Sequence, residues 1–170
     1  SELPARAVDI SLQRQVFSIR AGEVTNQFHP FSITSAPDER TLRITVKALG
    51  DYTSALRRLD EGAEAIVEGP FGSFSNVGLT APRQIWAAGG IGVTPFLSMA
   101  RSLGDGGPAV HFYYAVERVE EAHFLDEFRA IEARRDDFEV TVVAREPDGF
   151  LTADRLAAEN PELGSSDVLI

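Results

Sequence analysis

The stretch Ala87-Ala88-Gly89-Gly90-Ile91-Gly92-Val93-Thr94-Pro95 constrains this chain more than any other. It follows an apolar run, Gln84–Ala88, that reads as a buried strand, and it precedes Thr94–Ser102, which reads as a helix. Small residues in that position let the backbone turn tightly and let a ligand approach it closely. A helix starting there presents unpaired N–H groups and a partial positive charge to an anion. Pro95 suits the first helical turn, where no backbone donor is lost. The usual dinucleotide fingerprint has Gly or Ala at its third position, and Pro95 stands there instead, which disfavours an ordinary Rossmann dehydrogenase. The turn therefore reads as a pyrophosphate cradle of another kind, with a plain strand-to-helix turn as the alternative.

The rhythm of the chain changes on either side of Gly78–Arg83, where Gly, Thr and Pro cluster. Before it come short β segments at Ala7–Leu12, Gln15–Arg20, Phe31–Ser35, Thr41–Lys47 and Ala63–Glu68, with one short helix over about residues 53–59 that Thr53 can cap. After it, strands at Gln84–Ala88, Val110–Val116, Glu139–Ala144 and Val168–Ile170 alternate with helices at Thr94–Ser102, Ala122–Ala133 and Thr152–Ala158. That alternation implies a parallel sheet with helices on its faces. The expected fold is all-β followed by α/β: a small antiparallel Greek-key β-barrel over residues 1–80, then a doubly wound parallel sheet over residues 81–170.

Charge and composition narrow the function. With 16 basic and 26 acidic residues the chain carries a formal charge of −10, which argues against nucleic acid as a partner. There are no cysteines, and His29, His111 and His123 lack metal-ligand spacing, so no metal site is expected. No apolar run reaches the roughly 18 residues of a membrane span.

A second stretch, His29-Pro30-Phe31-Ser32-Ile33-Thr34-Ser35-Ala36-Pro37, puts an aromatic ring and several hydroxyls on one strand. An isoalloxazine needs an apolar face and a small donor at its polar edge, and this strand could supply both. An ordinary barrel strand would read the same way. The segment resembles the flavin motif of the ferredoxin-NADP reductase superfamily, in its ferric reductase and NADPH oxidase branch, where His-Pro-Phe-(Ser/Thr) is followed by Ser-Ala-Pro. Three further matches follow in order. Gly50-Asp51-Tyr52-Thr53-Ser54-Ala55-Leu56 resembles the Gly-x-x-Thr-x-x-Leu helix start, and Gly69-Pro70-Phe71-Gly72-Ser73 the Gly-Pro-Phe-Gly loop. The Gly-rich turn resembles the Gly-Gly-Ile-Gly-(Val/Ile)-Thr-Pro nicotinamide motif.

The resemblance implies an enzyme, an NAD(P)H-dependent flavin oxidoreductase with FAD and NADPH (or NADH) as cofactors. It places His29 near the FAD phosphates or ribityl chain, Phe31 against the isoalloxazine and Ser32 near N5. Pro30, Ser35 and Lys47 fall within the same FAD-binding stretch, and Thr53 would help hold the pyrophosphate. Gly69, Gly72 and Ser73 would lie beside FAD and the nicotinamide entry. Gly89, Gly90, Gly92, Val93, Thr94 and Pro95 would bind the nicotinamide nucleotide, with Ser32 and Thr94 the candidates at the reaction centre. Ribose discrimination falls to Glu117, Arg118 and Arg145, since a carboxylate favours a 2′-hydroxyl and a guanidinium a 2′-phosphate.

The branch also carries Cys-Gly-Pro-x-x-Met after the last strand, and the sequence ends at Asp167-Val168-Leu169-Ile170, where that motif would begin. A truncated C-terminal end is therefore expected. The resemblance implies a module on the cytoplasmic side, the soluble domain of an integral membrane protein with a haem-bearing transmembrane domain as partner. The alternatives are a soluble ferredoxin or flavin reductase, and a catalytically inactive nucleotide-binding module.

Overall fold

The computed structural model describes residues 16–21, 24 and 26–170. The chain divides into two compact units, Ser1–Ser75 and Asn76–Ile170. In the first, strands β1 (Val16–Ala21), β2 (His29–Ser32) and β3 (Ala65–Phe71) form an antiparallel sheet in the order β2-β1-β3. Phe17 stands opposite Phe31, and Ile19 faces His29 on one side and Val67 on the other. The strand expected over Ala7–Leu12 lies outside the described residues.

Two expected elements of this unit take other forms. Thr41–Lys47 was expected as a strand, but only an isolated antiparallel bridge forms there, between Ile33 and Ile44. Side chains have taken the backbone groups that a ladder would use: the Ser35 hydroxyl accepts the Arg43 N–H, and the Glu39 carboxylate accepts the Ala36 N–H. The expected helix begins earlier than read, as α1 (Asp51–Ala55), and tightens into a 3₁₀ turn at Leu56–Arg58.

The second unit is the α/β half. Four parallel strands, β4 (Arg83–Gly89), β5 (Ala109–Val116), β6 (Phe138–Ala144) and β7 (Asp167–Leu169), lie in the order β6-β5-β4-β7. Between them run α2 (Thr94–Arg101), α3 (Leu125–Glu132), a single turn α4 (Arg145–Asp148) and α5 (Ala153–Glu159). Strand side chains alternate between faces, so each central strand feeds two cores. On one face Trp86, Phe112 and Tyr114 join Phe96 of α2 and Phe128 of α3, with ring centroids 4.8 to 5.9 Å apart. On the other, Ile85, Ala87, Tyr113 and Val143 bury Leu156 of α5. Two-sided burial is what makes these strands apolar almost throughout, as parallel strands are. Each buried aromatic or aliphatic side chain contributes about 1.5–3 kcal/mol relative to exposure. α2 and α3 are tied by Arg101, whose Nε and Nη2 donate to Glu127 at 2.6 and 2.9 Å.

Strand order decides where this unit can bind something. The chain steps from β4 to β5 to β6 in one direction and then returns to the other side of β4 as β7. The direction reverses at β4, so the crevice beyond its carboxyl end is the switch point at which open α/β sheets bind ligands. The Gly-rich turn lies there.

Candidate functional site

In the first unit β2 presents His29 and Phe31 on one face, since residues two apart on a strand share a side. Tyr52 of α1 covers both. Its ring stacks on His29 with centroids 3.7 Å apart and planes 17° apart, and on Phe31 at 6.1 Å. The aromatic surface expected of Phe31 alone is thus built from three rings. Tyr52 was missed in the sequence reading, and its signal was the aromatic in Gly50-Asp51-Tyr52-Thr53. Its hydroxyl is buried without a hydrogen-bond partner, and burial raises its pKa. An unsatisfied buried hydroxyl costs about 1–3 kcal/mol, which a polar group of an adjoining ligand would relieve. Flat rings beside an orphaned donor fit a flavin nucleotide.

The remaining residues assigned to this site occupy varied positions. Pro30 and Ser32 point away from the His29–Phe31 face. Ser35 is buried, with its hydroxyl committed to Arg43 N–H. Lys47 and Ser73 are exposed. Gly69 and Gly72 have φ of 142° and 90°, a region that side chains rarely enter. Thr53 is not the helix cap that its position suggested, because Gly50 is. Thr53 sits in the third helical position and reaches back instead: its Oγ1 accepts from Leu49 N and Gly50 N at 2.9 and 3.1 Å and donates to Gly50 O. The helix begins where Gly50 takes an extended entry open to any residue (φ −154°), and threonine then closes the turn.

In the second unit three loops gather at the carboxyl edge of the sheet. Gly89 pairs in register with Ala115, and Val116 with Ala144, so the residues that follow β4, β5 and β6 emerge side by side. After β4, Gly90–Val93 forms a 3₁₀ turn that runs into α2, with Pro95 in its first turn as expected. Gly90 needs glycine for its φ of 50°. Gly89 and Gly92 do not, and a Cβ on any of the three would meet nothing within 4 Å. Nothing in the packing therefore demands glycine at 89 or 92. A bare backbone facing open space fits a ligand's phosphates coming close.

Two assignments on the turn need correcting at the level of side chains. Val93 is fully buried and Thr94 nearly so. The Thr94 hydroxyl donates inward to Ile91 O at 3.3 Å. Their side chains thus serve the core and the turn, which leaves the backbone as what they can offer a nucleotide. The adjacent Glu117 and Arg118, which the sequence could not separate, are divided by the fold. Glu117 at the end of β5 accepts from Arg145 at the end of β6, 3.2 Å away, while Arg118 turns to Glu121 at 3.0 Å. The Arg145 guanidinium also lies 4.8 Å over the ring of Phe150, which is 69% exposed. Phe150 escaped the sequence reading; a lone aromatic in the polar stretch Pro147-Asp148-Gly149-Phe150 was its only trace.

Comparison with known proteins agrees with both halves. Residues 14–75 match a family described as an FAD-binding domain. Dual oxidase 2 of Sus scrofa is 32% identical over 120 residues, spanning 59% of this chain and 8% of the oxidase. NADPH oxidase 1 of Mus musculus is 30% identical over 114 residues, 59% of this chain and 19% of that protein. The chain thus spans a fifth or less of these relatives. Ferredoxin-NADP+ reductase from Plasmodium falciparum shares the fold, with a TM-score of 0.72 at 14% identity over 92% of this chain and 70% of its own. In its ordered motifs, its FAD-binding match and these likenesses, with an antiparallel sheet followed by a parallel one, the chain resembles the ferredoxin-NADP reductase superfamily, in the branch of ferric reductases and NADPH oxidases.

Proposed function

We propose that this chain is the reductase module of a flavin-dependent electron-transfer enzyme, which draws a hydride from NADPH and delivers electrons one at a time. One observation carries this reading. The Gly-rich turn, Glu117 and Arg145 share the carboxyl edge of the sheet at its switch point, in a chain whose other unit matches an FAD-binding domain. When bound, FAD supplies the conversion of a two-electron hydride donor into two single-electron steps.

The residues of the chain bind, orient and shield. His29, Phe31 and Tyr52 offer stacking surface for the flavin nucleotide, and Ser32, from the other side of β2, offers a hydroxyl to the polar edge of a ring lying edge-on to the strand. Thr53 fixes the entry of α1, with Leu49 and Gly50 amides drawn onto its oxygen. Gly89, Gly90 and Gly92 leave backbone bare for the nicotinamide nucleotide's phosphates, and the start of α2 supplies a favourable dipole. Arg145, stacked on Phe150, is the 2′-phosphate ligand, with Glu117 its partner when no phosphate is present. No side-chain acid, base or nucleophile is needed, because the protein's contribution is alignment and exclusion of water. The acceptor is the haem of an attached transmembrane domain and the module faces the cytoplasm, following the oxidases it resembles. A soluble ferredoxin reductase is the second reading, favoured by the shared fold with the Plasmodium enzyme.

The test is anaerobic titration of the FAD-loaded protein with NADPH and with NADH, followed by the visible absorbance of the flavin. Bleaching with NADPH at lower concentration than with NADH is expected. In Arg145→Ala the advantage of NADPH should shrink about tenfold or more, since each lost charge-assisted hydrogen bond is worth about 1.5–3 kcal/mol. Absence of bleaching with either nucleotide would overturn the proposal.

A further inference from the structure

Tyr114 lies on β5, fully buried, stacked on Phe112 with centroids 5.9 Å apart. Packing alone would be served equally well by phenylalanine. Its hydroxyl, however, donates to the carbonyl of Gly90 at 3.1 Å, across 24 residues of sequence. Gly90 is the residue of the Gly-rich turn that adopts a left-handed conformation, with φ 50°. One buried hydroxyl thus anchors the left-handed residue of the turn.

The geometry has a direct consequence for the turn. A trans peptide holds its C=O and N–H antiparallel. Drawing Gly90 C=O inward onto Tyr114 aims the N–H of Ile91 the opposite way, away from the core and toward the open side of Gly89, Gly90 and Gly92. Without that bond the Gly90–Ile91 peptide would lose an anchor at the residue whose backbone is freest to rotate.

We infer that Tyr114 is a positioning residue for nicotinamide-nucleotide binding, which fixes the Gly90–Ile91 peptide for the anion. This rests on the reading of that turn as the nucleotide site. Tyr114 touches neither cofactor and takes no part in hydride transfer, so its loss should weaken capture of the nucleotide and leave the chemical step alone.

The experiment compares FAD-loaded wild type with Tyr114→Phe, which retains the ring and its packing. Affinity for NADPH is measured by calorimetry, and flavin reduction by stopped flow over a range of NADPH. The expected result is a dissociation constant and half-saturation concentration raised about tenfold, a change of about 1.4 kcal/mol. The limiting reduction rate, FAD content and melting temperature without nucleotide should match wild type. Equal affinity in the two proteins would overturn the role of Tyr114 while leaving the site intact. If wild type itself binds neither NADPH nor NADH, the reading of the turn fails and this inference with it. Hydrogen exchange of wild type provides a measurement that does not depend on the variant folding. NADPH should slow exchange at residues 90–93, and exchange there that NADPH leaves unchanged would overturn the anchoring of the Gly90–Ile91 peptide for the nucleotide.

Discussion

Gly92 shows most simply how a residue can be kept for a ligand and not for the fold. Its φ is not in the left-handed region and a Cβ there would meet open space. Gly→Ala at such a site removes freedom from the unfolded chain and stabilises by about 0.4–1 kcal/mol. Gly92→Ala should therefore melt at the wild-type temperature or slightly above it, while its affinity for NADPH falls, because the methyl group stands on the surface the phosphates need. Scanning calorimetry with and without nucleotide separates the two effects, and a stabilised variant with unchanged affinity would remove Gly92 from the site. Gly90 differs, since its φ of 50° makes any side chain there costly by about 1–2 kcal/mol. Residues of equal standing in the motif thus have unequal reasons to be glycine.

Among elements, α5 is held to the sheet by a buried polar network that the motifs gave no hint of. Asn160 at its C-terminal end donates to Tyr113 Oη and to Leu156 O, both at 2.8 Å. With both amide protons spent, its Oδ1 must accept from His111 Nδ1 at 3.0 Å, which leaves His111 Nε2 to accept from the Thr141 hydroxyl at 2.9 Å. Asn160→Ala removes a partner from each of three buried groups, Tyr113 Oη, Leu156 O and His111 Nδ1, and should lower the stability of the second unit by about 2 kcal/mol. Chemical denaturation, followed by the fluorescence of Trp86 in that unit, measures the loss. A change within about 0.5 kcal/mol, as expected of an ordinary surface substitution, would show the network to be dispensable.

The same network sets a pH limit on the molecule as a whole. Burial pushes the Tyr113 phenol up to about 12 from its ordinary 10. The folded chain therefore holds this proton more tightly than the unfolded one. The stability so gained is fully present below pH 10 and is lost as the pH rises from 10 through about 12. Melting temperature should fall over that interval, and fall less steeply in Tyr113→Phe, which has no proton to lose. Parallel alkaline slopes in the two proteins would argue that other groups set the limit. With a formal charge of −10, the molecule would, under the function proposed above, hold anionic dinucleotides through main-chain amides and a few placed guanidinium groups.

Local chemistry was enough to read the class of each half and the place of the Gly-rich turn. Strand and helix periods, the Gly-rich turn and Pro95 act over a few residues, and their order along the chain carries the family's signature. Side-chain competition for the backbone of Ser35–Arg43 was not legible in this way, so a strand was expected where a single bridge forms. Contacts between residues distant in sequence escaped altogether. Arg145 finds Glu117 and Tyr114 reaches Gly90 because parallel strands bring the ends of β4, β5 and β6 side by side, and Asn160 binds His111 because α5 packs on the face of the sheet. Residue types and their order along the chain were sufficient to nominate the groups proposed to bind a dinucleotide. Strand order and register, which depend on long-range packing of two apolar faces, decided which of them stand together.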